Sequence, residues 1–427
     1  MTKTPKRIAR VTVRGFKSIG CEQTVEIRPV TVLAGANSSG KSSIMQPLLL
    51  LKQTLESSGD PGALRLDGDN VRFTRADQVL NKGAGDEFAV QLALADGQSL
   101  GLVFQKDVEK GFELREMTYQ FGEERFVAHP GMSHDDIVKK LPPPWNGMRG
   151  WAVRRDRCFF MLEPASLGRT TQPIGFGPSG VSPGKTFVPY IEGIIHLPGL
   201  RGNPLRTYPK RVGGPHFQGT FEPYVASVIA QWQVDDRRDR LEQLGSALET
   251  MGLTWKVKAE KVDDTQVELK VGRLPHGRRG GARDLVSIAD VGFGVSQSLP
   301  VLVALLAADP GQLVYLEQPE IHLHPLAQRR LAGVLKDAVA RGVVAVVETH
   351  SAILLRELQT LVATRQLDKR DVALHWLQRD KEGNTAITTA DLDENGAYGD
   401  WPEDFDDTEL HAEQAYLDAV EAGEANK

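Results

Sequence analysis

Cysteine is nearly missing from this chain, with only Cys21 and Cys158 among 427 residues. Two thiols cannot build a disulfide framework or a thiolate zinc site, which excludes a secreted disulfide scaffold and suits a reducing cytosol. Long apolar runs are missing too. The longest, Val301 to Ala308 and Val343 to Val347, fall far short of the roughly 20 residues that cross a bilayer, so no transmembrane helix is expected. Met1 to Arg10 is basic but leads into a short alternating strand and lacks the apolar core of a signal peptide. A cytoplasmic protein without membrane attachment is the expectation. Neither sign of charge dominates: 51 Lys and Arg against 56 Asp and Glu leave a formal charge of -5. Any surface for nucleic acid therefore has to be a local patch.

What is present is the composition of a globular protein, 41% hydrophobic and 25% charged, with length for roughly three domains of about 150 residues. Ile8 to Val13, Thr24 to Ile27 and Val30 to Leu33 read as strands, and Ile44 to Thr54 as a helix apolar on every side, hence buried. Antiparallel structure is expected over 87–128, with a hairpin at Asp96-Gly97. Residues 129–185 hold Pro142-Pro143-Pro144 and many Gly-Pro steps, the texture of a loop-rich arm with one short strand near Phe159. Residues 219–251 read as helical, and Trp255 to Val262 with Gln266 to Val271 as a hairpin. From Val295 onward, apolar runs alternate with helices: Val295 to Ala307, the strand Leu313 to Leu316, the helix Pro325 to Ala340, the strand Val343 to Val347 and the helix Ala352 to Leu361. That alternation implies an α/β fold with a parallel sheet. The segments expected are an N-terminal lobe 1–128, an insertion 129–282, a C-terminal lobe 283–390 and an acidic tail 391–427.

Gly35-Ala36-Asn37-Ser38-Ser39-Gly40-Lys41-Ser42 is G-x-x-x-x-G-K-S between a buried strand and a helix, the context that a phosphate-binding P-loop requires. Backbone N–H groups curl around phosphate oxygens, Lys41 reaches the β- and γ-phosphates, and Ser42 can ligate magnesium, with Ser43 following in the first helical turn. ATP and Mg2+ are thus the expected cofactors. The run Leu313-Val314-Tyr315-Leu316-Glu317 supplies an apolar strand ending in a carboxylate, the expected magnesium acid. The next residue is Gln318, where a general-base glutamate belongs, followed by Pro319 and Glu320. A glutamine can position water but cannot take its proton, so either Glu320 or Glu348 polarises the water or hydrolysis is slow; Glu320 otherwise only starts a solvated turn.

Glu320, His322, His324, Glu348 and His350 are zinc-ligand types, but their spacing opposes a zinc site, because residues i and i+2 face opposite sides of a strand and no H-E-x-x-H helix is present. His350 follows the second buried strand, where a γ-phosphate sensor belongs; its alternative role is to cap the next helix, which Ser351 or Thr349 could equally fill. Asp290 to Ser298 places Gly294, Ser296 and Gln297 at the start of an apolar helix, a second phosphate-binding surface that suggests a nucleotide shared between two subunits.

Arg14-Gly15-Phe16-Lys17-Ser18-Ile19, the P-loop, Gly292 to Gln297, Glu317 to Pro325 and Glu348-Thr349-His350-Ser351 occur together, in this order. Their joint occurrence resembles the ABC-class ATPases related to RecF, SMC and the overcoming-lysogenisation-defect proteins. It is most similar to the bacterial AAA-family ATPases with a C-terminal domain of unknown function, which share His196-Leu197-Pro198-Gly199-Leu200-Arg201 and Trp401-Pro402 with Phe405. The resemblance spans nearly the whole chain and is weakest over 129–185. It implies an ABC-ATPase head: a mixed-sheet core, an antiparallel β subdomain and a loop-rich, helical insertion. It makes Lys41 and Ser42 Walker A, Glu317 Walker B, Gly294 and Ser296 the signature, His322 to Pro325 the D-loop and His350 the switch histidine. Gln78 is the candidate for the Q-loop. ATP would close two heads into a homodimer or higher homo-oligomer, and with no room for a Toprim nuclease after Asp371 the effector would be a separate protein, such as a nuclease.

Arg149, Arg154, Arg155 and Arg157 near Trp145 and Trp151, and Arg273, Arg278, Arg279 and Arg283 among glycines, are the clusters that DNA would use, although such clusters are more often solvated faces. An ATP-gated switch in DNA maintenance or phage defence is the first functional reading. The alternatives are the nucleotide-binding subunit of a membrane transporter, a DNA-repair ATPase acting without an effector, and a metabolic P-loop kinase.

Overall fold

The computed structural model describes residues 6–139, 151–164, 182–211, 213–214, 216–274 and 284–399, together with positions 414 and 418. Arg149, Trp145, Arg278, Arg279, Arg283, Trp401 and Phe405 lie outside them, as does nearly all of the acidic tail.

The chain opens with β1 (Ile8–Arg14), β2 (Gln23–Glu26) and β3 (Val30–Gly35), then enters α1 (Lys41–Leu55). The strands β4 (Glu87–Leu94), β5 (Ser99–Asp107), β6 (Gly111–Phe121) and β7 (Glu124–Ala128) follow. They join β1 and β2 in an antiparallel sheet of order β2-β1-β4-β5-β6-β7. Alternating burial along β4, with Phe88, Val90, Leu92 and Leu94 inward, marks a sheet with one wet face. A short helix α2 (His134–Val138) and the hairpin β8 (Trp151–Asp156) and β9 (Phe159–Pro164) come next, and the expected strand near Phe159 is β9.

After α3 (Val188–Glu192), β10 (Ile195–Leu197) and β11 (Tyr208–Pro209), the expected helical region divides into α4 (Val225–Val234) and α5 (Arg238–Thr250). β12 (Val257–Lys261) and β13 (Gln266–Gly272) form the expected hairpin, extended by β11 and β14 (Leu285–Ser287). The remainder alternates: α6 (Phe293–Ala307), β15 (Leu313–Glu317), α7 (Pro325–Ala340), β16 (Val344–Thr349), α8 (Ala352–Ala363), then β17 (Val372–Arg379) and β18 (Thr385–Ala390).

The central sheet has the order β10-β15-β16-β3-β17-β18, parallel except for the edge strand β18. Sequence-distant segments therefore build one sheet, and the strands β10, β17 and β18 were not foreseen. Residues of β3 alternate between two cores. Val30, Val32 and Ala34 face the side of α4 to α8, and Leu33 faces α1 with the antiparallel sheet. Wedged between two sheets, α1 buries Leu48, Leu49, Leu50 and Leu51 together, which explains a helix apolar all round. Among the described residues no helix is long and apolar enough to cross a membrane.

Candidate active site

The C-terminal ends of β3, β15 and β16 lie side by side, and the loop from Gly35 to Gly40 leaves β3 and enters α1 without a side-chain cap. Gly40 sits at φ 101, and a Cβ there would collide with the hydroxyls of Thr385 and Ser18. Glycine is required both for the backbone angle and for that close approach. Ser38 adopts φ 62 and offers its carbonyl to Arg379 Nε at 2.7 Å, while Asn37 is exposed at the tip. Ser39 is buried with its hydroxyl unpartnered, and Ser43 is buried in the first turn of α1. Lys41 folds back over the loop, donating to the carbonyls of Gly35 at 3.0 Å and Ala36 at 2.8 Å. Burial pushes its ammonium below the usual lysine range, against the pull of Glu348 and Glu320. A parallel α/β sheet, a glycine loop between its strand and a helix, and a lysine at the loop's end decide the class. The fold is that of a P-loop nucleoside triphosphatase.

Two carboxylates face one another across the P-loop fold's acidic strands, since Glu317 and Glu348 are register partners on β15 and β16. The acid expected at Ser42 was Glu317. Ser42 Oγ itself hydrogen-bonds to Glu348 Oε1 at 3.1 Å, and Tyr315 OH donates to the other oxygen at 2.8 Å. Glu317 accepts from His196 Nε2 at 3.1 Å and from the Gly199 amide at 3.2 Å. Burial pushes the Glu317 carboxyl up, but the His196 bond and charge and the Gly199 amide bring it below the ordinary range. Burial, with the charge of Glu317, holds Glu348 above it. A hydroxyl and two carboxylates, Glu348 buried and Glu317 partly exposed, are hard oxygen donors, and one or two carboxylates with substrate phosphates and water are what magnesium takes, so the residues fit that ion.

Gln318 sits at φ 44, its amide donating to Glu348 O at 2.7 Å and its carbonyl accepting from Arg201 Nη2 at 2.9 Å. Glu320 is not a solvated turn residue. It is buried, with Oε1 accepting from Thr349 Oγ1 at 2.7 Å and from the His350 amide at 2.8 Å, and Oε2 unpartnered. Ser351 caps α8 through Leu354 N at 3.1 Å, leaving the half-buried His350 free of that task. Burial and the Lys41 charge lower its imidazole, which a hydrogen bond to the Gly35 backbone partly offsets.

At α6 the structure corrects the expectation of unused donors. Ser296 is buried and its hydroxyl donates to Phe293 O at 3.1 Å, while Gln297 turns inward to the carbonyls of Arg201 and Gly202. The surface of this helix start is Gly292 and the half-exposed Phe293, which packs against His322 with ring centroids 5.7 Å apart; Gly294 lies partly covered beside Leu253. The reason is helical geometry: a residue three positions into an apolar helix rotates onto its packed side. His324 caps α7. Gln78 caps its own turn by accepting from Thr74 N at 2.8 Å and is exposed, away from the P-loop contacts. Arg154 pairs with Glu163, Arg155 pairs with Asp60 and Arg157 donates to Leu55 O, so these arginines of the first basic cluster are already engaged.

His196 and Arg201 enter the sequence reading only through the resemblance, and Glu348 as a zinc-ligand type, as a group that could polarise the water and as the first residue of the Glu348-Thr349-His350-Ser351 motif. A carboxylate closing a buried strand was the available signal for Glu348.

Residues 188–356 match the family model described as "AAA domain, putative AbiEii toxin, Type IV TA system". No curated protein sequence matches the chain. Among solved structures, an SMC head bound to the C-winged helix domain of ScpA aligns at 14% identity and a TM-score of 0.49, covering 91% of this chain and 98% of that one. The SMC head domain from Thermotoga maritima aligns at 14% identity and 0.41, covering 90% and 100%.

Proposed function

We propose that this protein is a magnesium-dependent ATPase whose ATP-bound heads pair around shared sites and switch a separate effector, a nuclease being the class to test, in DNA maintenance or phage defence. The observation that carries the reading is the meeting of Lys41 and Ser42 of the P-loop with Glu348, Glu320 and His350 at one sheet edge. In this reading Lys41 neutralises the β- and γ-phosphates, Ser42 with the acids of β15 and β16 holds the metal, Gln318 or Glu320 orients and activates water, and His350 senses the γ-phosphate. The family description naming a toxin of a type IV system supports a role in such conflict. The uncapped start of α6 with Gly292 and Phe293 outward supports a partner's triphosphate as its occupant.

The test is complementation. Phe293→Asp places a negative charge against the triphosphate across the seam, and the same charge at a helix start favours the isolated head's own fold. Phe293→Asp and Lys41→Ala should each be inactive, and their mixture should recover one working composite site per mixed dimer. A mixture no more active than its components, with subunit exchange demonstrated, overturns the shared site; a wild-type protein that neither binds nor hydrolyses ATP overturns the whole reading.

A further inference from the structure

We propose that Arg201 is a positioning residue for ATP hydrolysis: from the turn after β10 it holds Gln318 in place, and helix α6 holds Arg201 in turn. This rests on the ATP-site reading above and names the residue that places its water-orienting glutamine.

The backbone of Gln318 needs a holder. Its φ of 44 lies in the left-handed region that a residue with a Cβ seldom occupies, and such an angle persists only where the surroundings impose it. Gln318 N donates to Glu348 O at 2.7 Å, and the Gln318 carbonyl accepts from Ile321 N at 3.2 Å and from Arg201 Nη2 at 2.9 Å. Two of these bonds come from backbone. Arg201 supplies the third, a charge-assisted one, from a segment 117 positions away. The same turn holds Glu317 through the Gly199 amide and runs along the Gln318 side chain, since a Cβ added at Gly199 would stand 3.6 Å from Gln318 Oε1. Glu320 is held from the end of β16 by Thr349 and the His350 amide, so a loss of Arg201 is felt at Gln318.

Arg201 is not spent on an ion pair. It is 5% exposed, and Glu222 is near enough for its charge to act on the guanidinium. Yet Nε and Nη1 of Arg201 and Oε2 of Glu222 are all buried without a partner among the described residues. An arginine kept for stability alone would close on that carboxylate, because a buried charge left unpaired is costly. The side-chain hydrogen bond that Arg201 does make goes to the Gln318 carbonyl.

The backbone of Arg201 is fixed as well. Gln297 Nε2, from the buried side of α6, donates to the carbonyls of Arg201 at 2.8 Å and Gly202 at 3.2 Å. One residue therefore joins α6 to Gln318, its carbonyl held by the helix and its guanidinium holding the glutamine. Gln297 gains a task within its own subunit, and so does the run from His196 to Arg201: His196 and the Gly199 amide hold Glu317, and Arg201 holds the residue after it. A shift of α6, at whose start the partner's triphosphate sits in that reading, would reach Gln318 through Arg201.

The experiment is a double-mutant cycle on the full chain: the hydrolysis rate of γ-labelled ATP at saturating nucleotide, and ATP affinity by titration calorimetry, for wild type, Arg201→Met, Gln318→Ala and the pair. Arg201→Met should keep ATP affinity within about threefold and hydrolyse at least about tenfold more slowly, the mark of a misplaced catalytic group in an intact binding site. Gln318→Ala should lose at least about tenfold too, and adding Arg201→Met to it should cost no more than about twofold further, because Arg201 acts through the glutamine. A smaller loss in either single variant overturns the assignment. So does a fall in ATP affinity that matches the fall in rate, or a loss in the Gln318→Ala background as large as in the wild type, since a structural arginine would give those results. Should circular dichroism show Arg201→Met unfolded, the cycle is run within the same limits on Arg201→Lys, which keeps the charge near Glu222 while its shorter side chain falls short of the carbonyl. Absence of ATP binding by the wild type overturns the ATP-site reading instead.

Discussion

Glu317 and Glu348 stand opposite each other across β15 and β16, and their surroundings drive their carboxyls in opposite directions, Glu317 below the ordinary range and Glu348 above it. Burial lifts both. Glu317 has His196 and the Gly199 amide to stabilise its charge, and Glu348 has that same charge as its neighbour. Two acids whose surroundings push their carboxyls apart in this way are not interchangeable.

Lys41→Ala should weaken ATP binding by about 100-fold, the worth of roughly two charge-assisted hydrogen bonds. Among the described residues no other lysine donates to the loop carbonyls that Lys41 now holds at 2.8 and 3.0 Å. Titration calorimetry of the purified variant checks this, and unchanged affinity would place the nucleotide elsewhere.

Gln318→Glu should raise turnover by up to about 100-fold, because a carboxylate at that position can accept the proton of the attacking water. The left-handed backbone, φ 44, is the same for either side chain, and the Arg201 bond is to the backbone carbonyl, so the substitution keeps both. Steady-state hydrolysis decides: a fall in rate would show that the amide serves another purpose. Glu320→Gln in the wild-type background should lower kcat with ATP affinity retained, since its contacts are with Thr349 and the His350 amide.

Lys52→Ala should destabilise the protein by about 3–5 kcal/mol, the cost of leaving half of a buried ion pair behind. Lys52 is fully buried, 2.6 Å from Glu56, and also donates to the carbonyls of Glu192 and Phe217 at 2.8 Å, tying α1 to the end of α3 and to the segment after β11. Urea unfolding measures the loss, and adding Glu56→Gln to Lys52→Met should return part of it.

His375 predicts an acid-side loss of stability. Its Nε2 donates to Glu26 O and its Nδ1 accepts from Thr389 Oγ1, both at 2.9 Å, which defines a neutral tautomer. Burial lowers its imidazole below the ordinary value of 6.5, with Arg28 in the same direction and Glu26 and Asp391 opposing. The unfolded chain therefore binds the proton first. The contribution is complete above about pH 6.5 and is lost as pH falls towards the folded value, by at most about 1.4 kcal/mol per pH unit. Urea midpoints at pH 7.5 and 5.5 should fall further apart in the wild type than in His375→Gln.

Local rules governed what could be read in advance. A glycine loop, its lysine and serine, and the helix that follows are contiguous, so Gly35 to Ser43 carried their geometry in the sequence. Likewise Leu313 to Leu316 and Val343 to Val347 are apolar throughout because both faces of a parallel sheet are covered, and their strands appear as β15 and β16. Pro325 started α7 as expected, because a proline in the first helical turn lacks only an N–H that has no partner there.

Tertiary structure decided which of two similar acids meets Ser42. Residues 42 and 348 are 306 positions apart, and nothing in either segment states that β16, not β15, is laid beside β3. The rotation of α6 about its own axis was decided the same way. Its apolar surface packs against α4, α5 and the central sheet, which turns Ser296 and Gln297 inward and leaves Phe293 outside. The polar residues at this helix start are legible as a sequence, but the packing of its other side selects the ones that face solvent, because burying apolar area outweighs the preference of any single hydroxyl.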